Sequence, residues 1–420
     1  MKKKTVIPIR LLLVLSTFLL TVLLYIDRAC ISAAKDDICS DLGLSLTDFG
    51  WVMAVFTLGY ALFQAPSGKL ADKYGPRSVI SGIVVVWSVL TAITGTAWNY
   101  ISMLVIRFFF GAGEAGAFPA LSKVVYNWFP VKERGIVQGI NFSGSRLGAA
   151  FALPLVAWMI TAIGWRFSFL VFGLFGVVFA ALWYLFFKNK PEESNTLGEV
   201  EKKYIMANRQ QQSIEKSASL SFSKIILSRN MLMNMVQYIC SNFTFYFTLT
   251  WMFPFIKQKF GLSPVEAGLY SSIPLVAGAA GNWLSGLLVD YIYRKKGLKS
   301  SRKIPAVIGF ILASFGMVMV TQSASGTMAV VFLAVAVFGA DMTLSPSWAF
   351  CIDIGKENAG LVSGTMNMAG NLGAFVTILV YPYLFEWTGS NVPFFYIAAA
   401  MSAVAIVMWS FMSPEKVLAE

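Results

Sequence analysis

The sequence contains no histidine at all and little charge: 13% of its 420 residues are Asp, Glu, Lys or Arg, against about 25% in an average soluble domain. Without histidine the usual general base, the commonest metal ligand and the side chain that titrates near neutral pH are all missing. Any proton chemistry must fall to carboxylates. Cysteine is scarce too. Cys30, Cys39, Cys240 and Cys351 form no CxxC pair and no ligand spacing, so neither a disulfide framework nor a metal centre is expected. They read as small apolar fillers. No cofactor is expected either.

What the sequence has in excess is apolar surface, with 57% hydrophobic residues and a mean hydropathy of +0.68. The net charge of +12 would by itself suggest nucleic acid. The bases lie instead in short clusters between apolar runs, as the positive-inside rule produces. A helix needs about 20 mostly apolar residues to cross the hydrocarbon. Twelve such spans are read, at 9–34, 47–70, 78–97, 100–128, 136–162, 166–187, 229–257, 265–290, 304–322, 327–350, 360–385 and 391–412. The apolar run after Lys2, Lys3 and Lys4 is too long for a cleaved signal, and more spans follow. With the N-terminus in the cytoplasm, 25 of the 33 Lys and Arg fall on the cytoplasmic side and four, Lys35, Arg166, Lys257 and Lys259, outside. Both termini are then cytoplasmic.

Residues 188–228 carry Lys, Glu, Ser, Asn and Gln with no sustained apolar face. They read as a cytoplasmic linker between an N-terminal six-helix bundle, 1–187, and a C-terminal one, 229–420. Internal repetition supports that cut. Gly68-Lys-Leu-Ala-Asp72-Lys-Tyr-Gly75-Pro-Arg77 follows the second span, and Gly286-Leu-Leu-Val-Asp290-Tyr-Ile-Tyr-Arg294-Lys follows the eighth. Glycine and aspartate share one spacing in both. The fold class expected is all-α integral membrane, with twelve transmembrane helices in two six-helix bundles around a central midplane cavity, the alternating-access plan of secondary carriers.

A charge near the bilayer centre costs about 3 kcal/mol or more, so intramembrane ionisable residues are functional candidates. Asp27 and Arg28 follow 16 residues of the first span, Leu11 to Ile26. Arg107 and Glu114, seven apart in the fourth, share one helix face, with Gly111 between them to leave the groove open. Arg146 lies in the fifth. A guanidinium offers a planar fork to a carboxylate and stays charged at any relevant pH. One such arginine is also explained by snorkelling or static pairing. Three arginines and two acids in one half point to an anionic substrate.

Burial favours the protonated form of a carboxyl group and a neighbouring arginine the ionised form. Asp27 and Glu114 can therefore switch protonation as the cavity opens to either side, so that a proton is carried inward with the substrate. Sodium coupling stays open as an alternative. Around the hydroxylated part of the ligand, Tyr25 lies one turn before Arg28. The C-terminal half offers Ser345, Ser347 and Trp348 in the tenth span and Asn367 and Asn371 in the eleventh. Each serine and asparagine is equally explained by helix–helix hydrogen bonding. Asp341 is an acid within the tenth span, either a second coupling site or a pair for an arginine of the other half.

The Gly68 to Arg77 string resembles the signature loop of the major facilitator superfamily. Tyr25-Ile-Asp27-Arg28 and Arg107-Phe-Phe-Phe-Gly-Ala-Gly-Glu114-Ala-Gly-Ala-Phe-Pro119 resemble its anion:cation symporter branch, with bacterial galactonate, hexuronate and glucarate carriers and, more distantly, sialin and the vesicular glutamate transporters. The resemblance implies substrate contact at Arg28 and Arg107, proton coupling at Asp27 and Glu114, and a cavity tyrosine at Tyr60. Relatives of the galactonate type carry a cavity glutamine where this chain has Ser145, followed by Arg146. The added cation implies a more highly charged substrate or another pose. Vesicular glutamate carriers have a histidine where this chain has Met53, which argues against vesicular filling. Asp72, Arg77 and Arg134 are expected to form the inner gate, an Asp72 contact with a neighbouring helix end or with Arg134 locking the outward-facing state; loop bases that merely orient the chain are the plainer explanation.

Two pattern matches are set aside. Gly111-Ala-Gly113-Glu-Ala-Gly116 fits GxGxxG, but no strand precedes it, and small residues at that spacing let membrane helices approach closely. Asn141-Phe-Ser143 and Asn242-Phe-Thr244 fit glycosylation acceptors but fall inside spans. The expectation is a monomeric secondary carrier in a bacterial inner membrane, importing a sugar acid or other carboxylate by proton symport. Its partners are the anion, the proton and the lipid bilayer, not nucleic acid. An exporter of an amphipathic or drug-like compound and a membrane sensor on a carrier fold are the alternatives. An enzyme would need a nucleophile–base set or metal ligands, and none is visible.

Overall fold

A computed structural model describes residues 8–209, 221–262 and 264–418. Among these no strand occurs and twelve long helical legs are present. In chain order they are α1 (Ile9–Ala33), α2 (Leu46–Tyr74), α3 (Pro76–Thr94), α4 (Tyr100–Glu114, continued by Ala117–Trp128), α5 (134–163), α6 (165–186), α7 (Arg229–Thr250, continued by Met252–Phe260), α8 (264–296), α9 (298–321), α10 (Gly326–Met342, continued by Leu344–Gly355), α11 (Ala359–Thr388) and α12 (Val392–Phe411).

The ends of these helices are written locally. Ser45 and Asp48 close a reciprocal capping box at the start of α2, as Asn99 and Ser102 do for α4. Gly164 (φ 76°) separates α5 from α6, and Gly297 (φ 80°) separates α8 from α9. Both conformations are nearly free for glycine and strained for other residues. The apolar stretches 269–321 and 326–388 run 53 and 63 residues, more than twice the ~20 needed to cross a membrane. Each is therefore a pair of crossings that folds back, at Gly297 and around Lys356. Helix α8 continues six residues past the expected end at 290, because Tyr291 to Lys296 are polar or amphipathic but good helix formers. Three short helices lie outside the expected spans, Lys35–Leu42 between α1 and α2, and Glu199–Asn208 and Phe222–Leu227 within the segment read as linker.

Polarity is inverted relative to a water-soluble protein. Large apolar side chains such as Phe151, Trp158, Phe186 and Trp387 are exposed around the perimeter, while Arg107, Arg134, Arg146 and Arg302 are buried. An apolar perimeter of this extent suits lipid. The two six-helix sets meet along α2 against α11 and α5 against α8. Their cores are unevenly shared. At the end that carries residues 187–209, one hydrophobic cluster takes side chains from both sets, Phe118 and Phe142 packing with Trp348. At the opposite end there are two clusters. One, around Phe49, Met103 and Phe169, is N-terminal only, and the other, around Phe247, Phe255 and Phe394, is C-terminal only.

Candidate functional site

Between the two sets, near mid-height, lies a cavity of about 40 Å³, room for about two or three waters. From the N-terminal set it is lined by Tyr25 and Arg28 of α1, Tyr60 of α2, Phe118 of α4, and Phe142, Ser145 and Arg146 of α5. From the C-terminal set come Trp348 of α10, Asn367 and Asn371 of α11, and a face of α7. Most expected substrate-contact residues thus converge on one space. Arg107, Ser345 and Ser347 do not line it.

Arg28 is held by three rings and one acid. Its guanidinium carbon lies 4.4 Å from the Tyr60 ring centroid, 5.0 Å from Tyr25 and 5.2 Å from Phe56, distances at which the ring faces attract a cation. Its Nε donates to Glu114 Oε2 at 2.9 Å, and Nη2 lies 2.9 Å from the same oxygen. Glu114 is fully buried and lies behind the arginine, outside the lining. Asp27 is also buried and faces away from the cavity.

Arg107 departs from expectation. It is 1% exposed, with its guanidinium against Phe56 (4.6 Å) and Phe110 (4.7 Å). Gly111 does not open a groove either. A Cβ there would meet the Phe56 carbonyl oxygen at 2.1 Å, so the α2 backbone fills the space. That close approach puts the Phe56 ring against Arg107.

Arg146 and Asp341 form a bidentate pair across the two sets, Nε to Oδ2 and Nη2 to Oδ1, each at 2.7 Å. Both side chains are at most 2% exposed. Gly278 makes the room, since a Cβ there would lie 2.2 Å from Asp341 Oδ2. Of the two readings left open for Asp341, pairing with an arginine of the other half is what the structure contains. Ser345 and Ser347 are helix-packing residues: Ser345 donates to the Gly135 carbonyl at 2.7 Å, Ser347 to that of Thr343 at 2.7 Å. A hydroxyl in an apolar bundle takes the nearest carbonyl, and here that turns both away from the cavity.

The asparagines belong to a polar network. Asn367 donates to Gln64 Oε1 at 2.8 Å, Asn371 donates to the Asn367 carbonyl at 2.8 Å, and Tyr246 donates to Asn371 Oδ1 at 2.7 Å. Trp348 donates through Nε1 to the Tyr238 hydroxyl at 2.9 Å. The α7 residues were missed in the sequence. Tyr238, Ser241, Asn242, Phe245 and Tyr246 recur at i, i+3, i+4, i+7 and i+8, one face of a helix. That mixed polar and aromatic face is the signal the sequence carries for α7, and Asn242 belongs to it besides fitting the glycosylation pattern.

At the end shared by both sets, the repeated aspartates do the same thing twice. Asp72 at the end of α2 accepts the backbone N–H of Gly360 (3.0 Å) and Leu361 (2.7 Å) at the start of α11. Asp290 in α8 accepts those of Gly135 and Ile136, both at 2.9 Å, at the start of α5. Each carboxylate caps a helix N-terminus of the other set, where N–H groups and the helix dipole favour negative charge. Lys123, which had no assigned role, lies 3.5 Å from Asp72 and donates to the Glu357 carbonyl. Arg134 pairs not with Asp72 but with Asp353 of α10 at 2.7 Å, whose other oxygen takes Arg302 at 2.8 Å. Arg77 stays within its own set, donating through Nε to the Tyr184 carbonyl at 2.7 Å with its backbone N–H on Asn189. It fixes α3 to the end of α6 and does not bridge the sets.

The model of the Major Facilitator Superfamily matches residues 17–378, and the chain belongs to that superfamily. It is a multi-pass membrane transporter, not an enzyme. It is 32% identical over 391 residues, 93% of this chain and 90% of the other, to a probable sulfoacetate transporter, SauU, of Cupriavidus necator. It is 33% identical over 402 residues, 91% of this chain and 90% of the other, to the probable galactarate/D-glucarate transporter GarP of Escherichia coli. To the hexuronate transporter of Bacillus subtilis it is 30% identical, covering 94% and 93% of the two chains. Among solved structures it shares the fold of the proton:xylose symporter XylE, with a TM-score of 0.71 at 18% identity and 97% of both chains covered. It also shares that of FucP in its outward conformation, with a TM-score of 0.72 at 13% identity, covering 95% of this chain and 98% of the other.

Proposed function

We propose that the protein imports a small organic anion, a sugar acid or related carboxylate, together with a proton by alternating access. The observation that carries this is Arg28, a part-buried cation on the cavity wall whose acid partner, Glu114, is fully buried behind it. Protonation of Glu114 removes the competing charge and frees the Arg28 fork for a substrate carboxylate. Loss of that proton on the other side restores the internal pair and expels the anion. Asp27, beside Arg28 in sequence and also buried, is the second coupling acid. Substrate hydroxyls exchange for the Tyr246–Asn371 and Trp348–Tyr238 hydrogen bonds. The acids for which the relatives are named support this class of ligand.

The orientation follows the distribution of Lys and Arg. Residues 1–187 and 229–420 are the two moving bundles, 188–228 is their cytoplasmic linker, and both termini are cytoplasmic. The protein works as a monomer in a bacterial inner membrane. The shared core and the aspartate caps then form a closed inner gate, and the separate cores at the far end belong to an outward-facing arrangement.

The test is substrate-stimulated proton uptake in proteoliposomes, screening galactarate, galactonate, glucuronate and sulfoacetate, with Arg28→Ala as control. Acidification by one acid that vanishes in the variant supports proton symport. Arg28-dependent exchange of a labelled anion without proton movement replaces symport by sodium coupling or exchange. No response to any anion removes the reading.

A further inference from the structure

We propose that the second anion pole of the cavity is Arg146 rather than Arg107, and that the transported substrate is a dianion held between Arg28 and Arg146. This rests on the anion-carrier reading and narrows it. The geometry on the N-terminal wall is the reason. Arg28 and Arg146 both line the cavity, whereas their acids, Glu114 and Asp341, do not. Two arginines therefore belong to the wall of one small space while their countercharges lie off its lining. No carboxylate lines that space among the described residues.

Asp341 engages only Nε and Nη2 of Arg146. Nη1 is buried and has no hydrogen-bond partner. A buried donor left unmade is costly, and this one sits on a residue of the cavity wall. The Phe245 ring, 4.2 Å from the guanidinium carbon, holds the plane of the group. An acid group arriving at Nη1 completes the arginine's hydrogen bonds without displacing Asp341. Arg107 also has partnerless donors, Nε and Nη2, but it is not part of the lining of this space. A monoanion satisfies Arg28 and leaves Nη1 unmade. A dianion satisfies both, and the neutral tyrosines and asparagines between the two poles suit a hydroxylated or short spacer.

The test compares acids that differ by one acid group, galactarate against galactonate and sulfoacetate against acetate, on the detergent-purified full chain, read by quenching of tryptophan fluorescence and by calorimetry. In the wild type the dianion of at least one pair should bind about 10-fold tighter or more, the value of one charge-assisted hydrogen bond. Arg146→Gln alone would strand Asp341, so the variant is the charge-balanced Arg146→Gln/Asp341→Asn pair, with its fold checked by thermal melting. In it the dianion preference should collapse to about equal affinities for the two members of each pair. Equal affinities in the wild type, or a preference that survives in the double variant, overturns the proposal while leaving Arg28-dependent anion binding intact. Binding of neither member of either pair, with a response to no anion in the transport screen, overturns the parent reading and this inference with it.

Discussion

Asp72 and Asp290, related by the internal repeat, each cap the first turn of a helix in the opposite half, α11 and α5 respectively. The relationship is reciprocal, so the two bundles clasp each other at one end through two carboxylates and four backbone N–H groups. Asparagine at either position keeps an acceptor but loses the charge, at a cost of about 0.5–2 kcal/mol. Asp72→Asn and Asp290→Asn should each shift the population toward opening at that end. The double variant should add the two effects, because the caps share no residue. Distances between spin labels at Lys73 and Lys296 would report it, and two additive shifts to longer distance are the expected result.

The same end depends on glycine. A Cβ on Gly68 would stand 2.1 Å from the Gly360 carbonyl oxygen, and one on Gly139 2.4 Å from that of Asn282. Both neighbours are backbone, which cannot swing aside. Gly68→Ala and Gly139→Ala should hold the bundles apart there and cut transport by about 10-fold or more while leaving the helices folded. The label pair and circular dichroism together check this. A Gly68→Ala protein with wild-type distances and transport would contradict it.

Arg146 and Asp341 are both buried, so removing one partner is much worse than removing both. Asp341→Asn should lower stability by about 3–5 kcal/mol, while Arg146→Met/Asp341→Leu should recover most of it. Thermal unfolding in one detergent gives the comparison. If the single variant melts like the wild type, the pair contributes nothing to the packed state.

Residues on the cavity wall should act on affinity and those off it on packing alone. Asn371→Ala removes the acceptor of Tyr246 and should raise KM by about 5-fold or more, whereas Ser345→Ala, which frees the Gly135 carbonyl, should cost about 1 kcal/mol and leave KM unchanged. Initial uptake rates at varied substrate, alongside melting curves, separate the two.

Glu114→Gln isolates coupling from binding. The amide cannot ionise, so Arg28 stays available for the anion in every state. Exchange of labelled substrate should persist, and accumulation driven by a pH gradient should fall to the level of equilibration. Unchanged accumulation would remove Glu114 from the coupling scheme.

The sequence by itself determined the membrane-spanning helices, through the length of its apolar runs, and the repeat, through the shared Gly-x-x-x-Asp spacing of Gly68–Asp72 and Gly286–Asp290. It also exposed the unusual ionisable residues, because a charge in an apolar run stands out whatever surrounds it. Only the tertiary structure decided what each of them faces. A cavity residue such as Trp348 shares a single turn of helix with packing residues such as Ser345 and Ser347, and the choice depends on the rotation of α10 against α5, which no local pattern encodes. Arg107 was lost to the cavity because Gly111 lets the α2 backbone approach and press Phe56 on it. Arg146 found its partner 195 residues away. Side chains so far apart in the chain meet only because two bundles pack face to face, and that meeting, rather than residue type, sets which buried cation is free to hold a substrate.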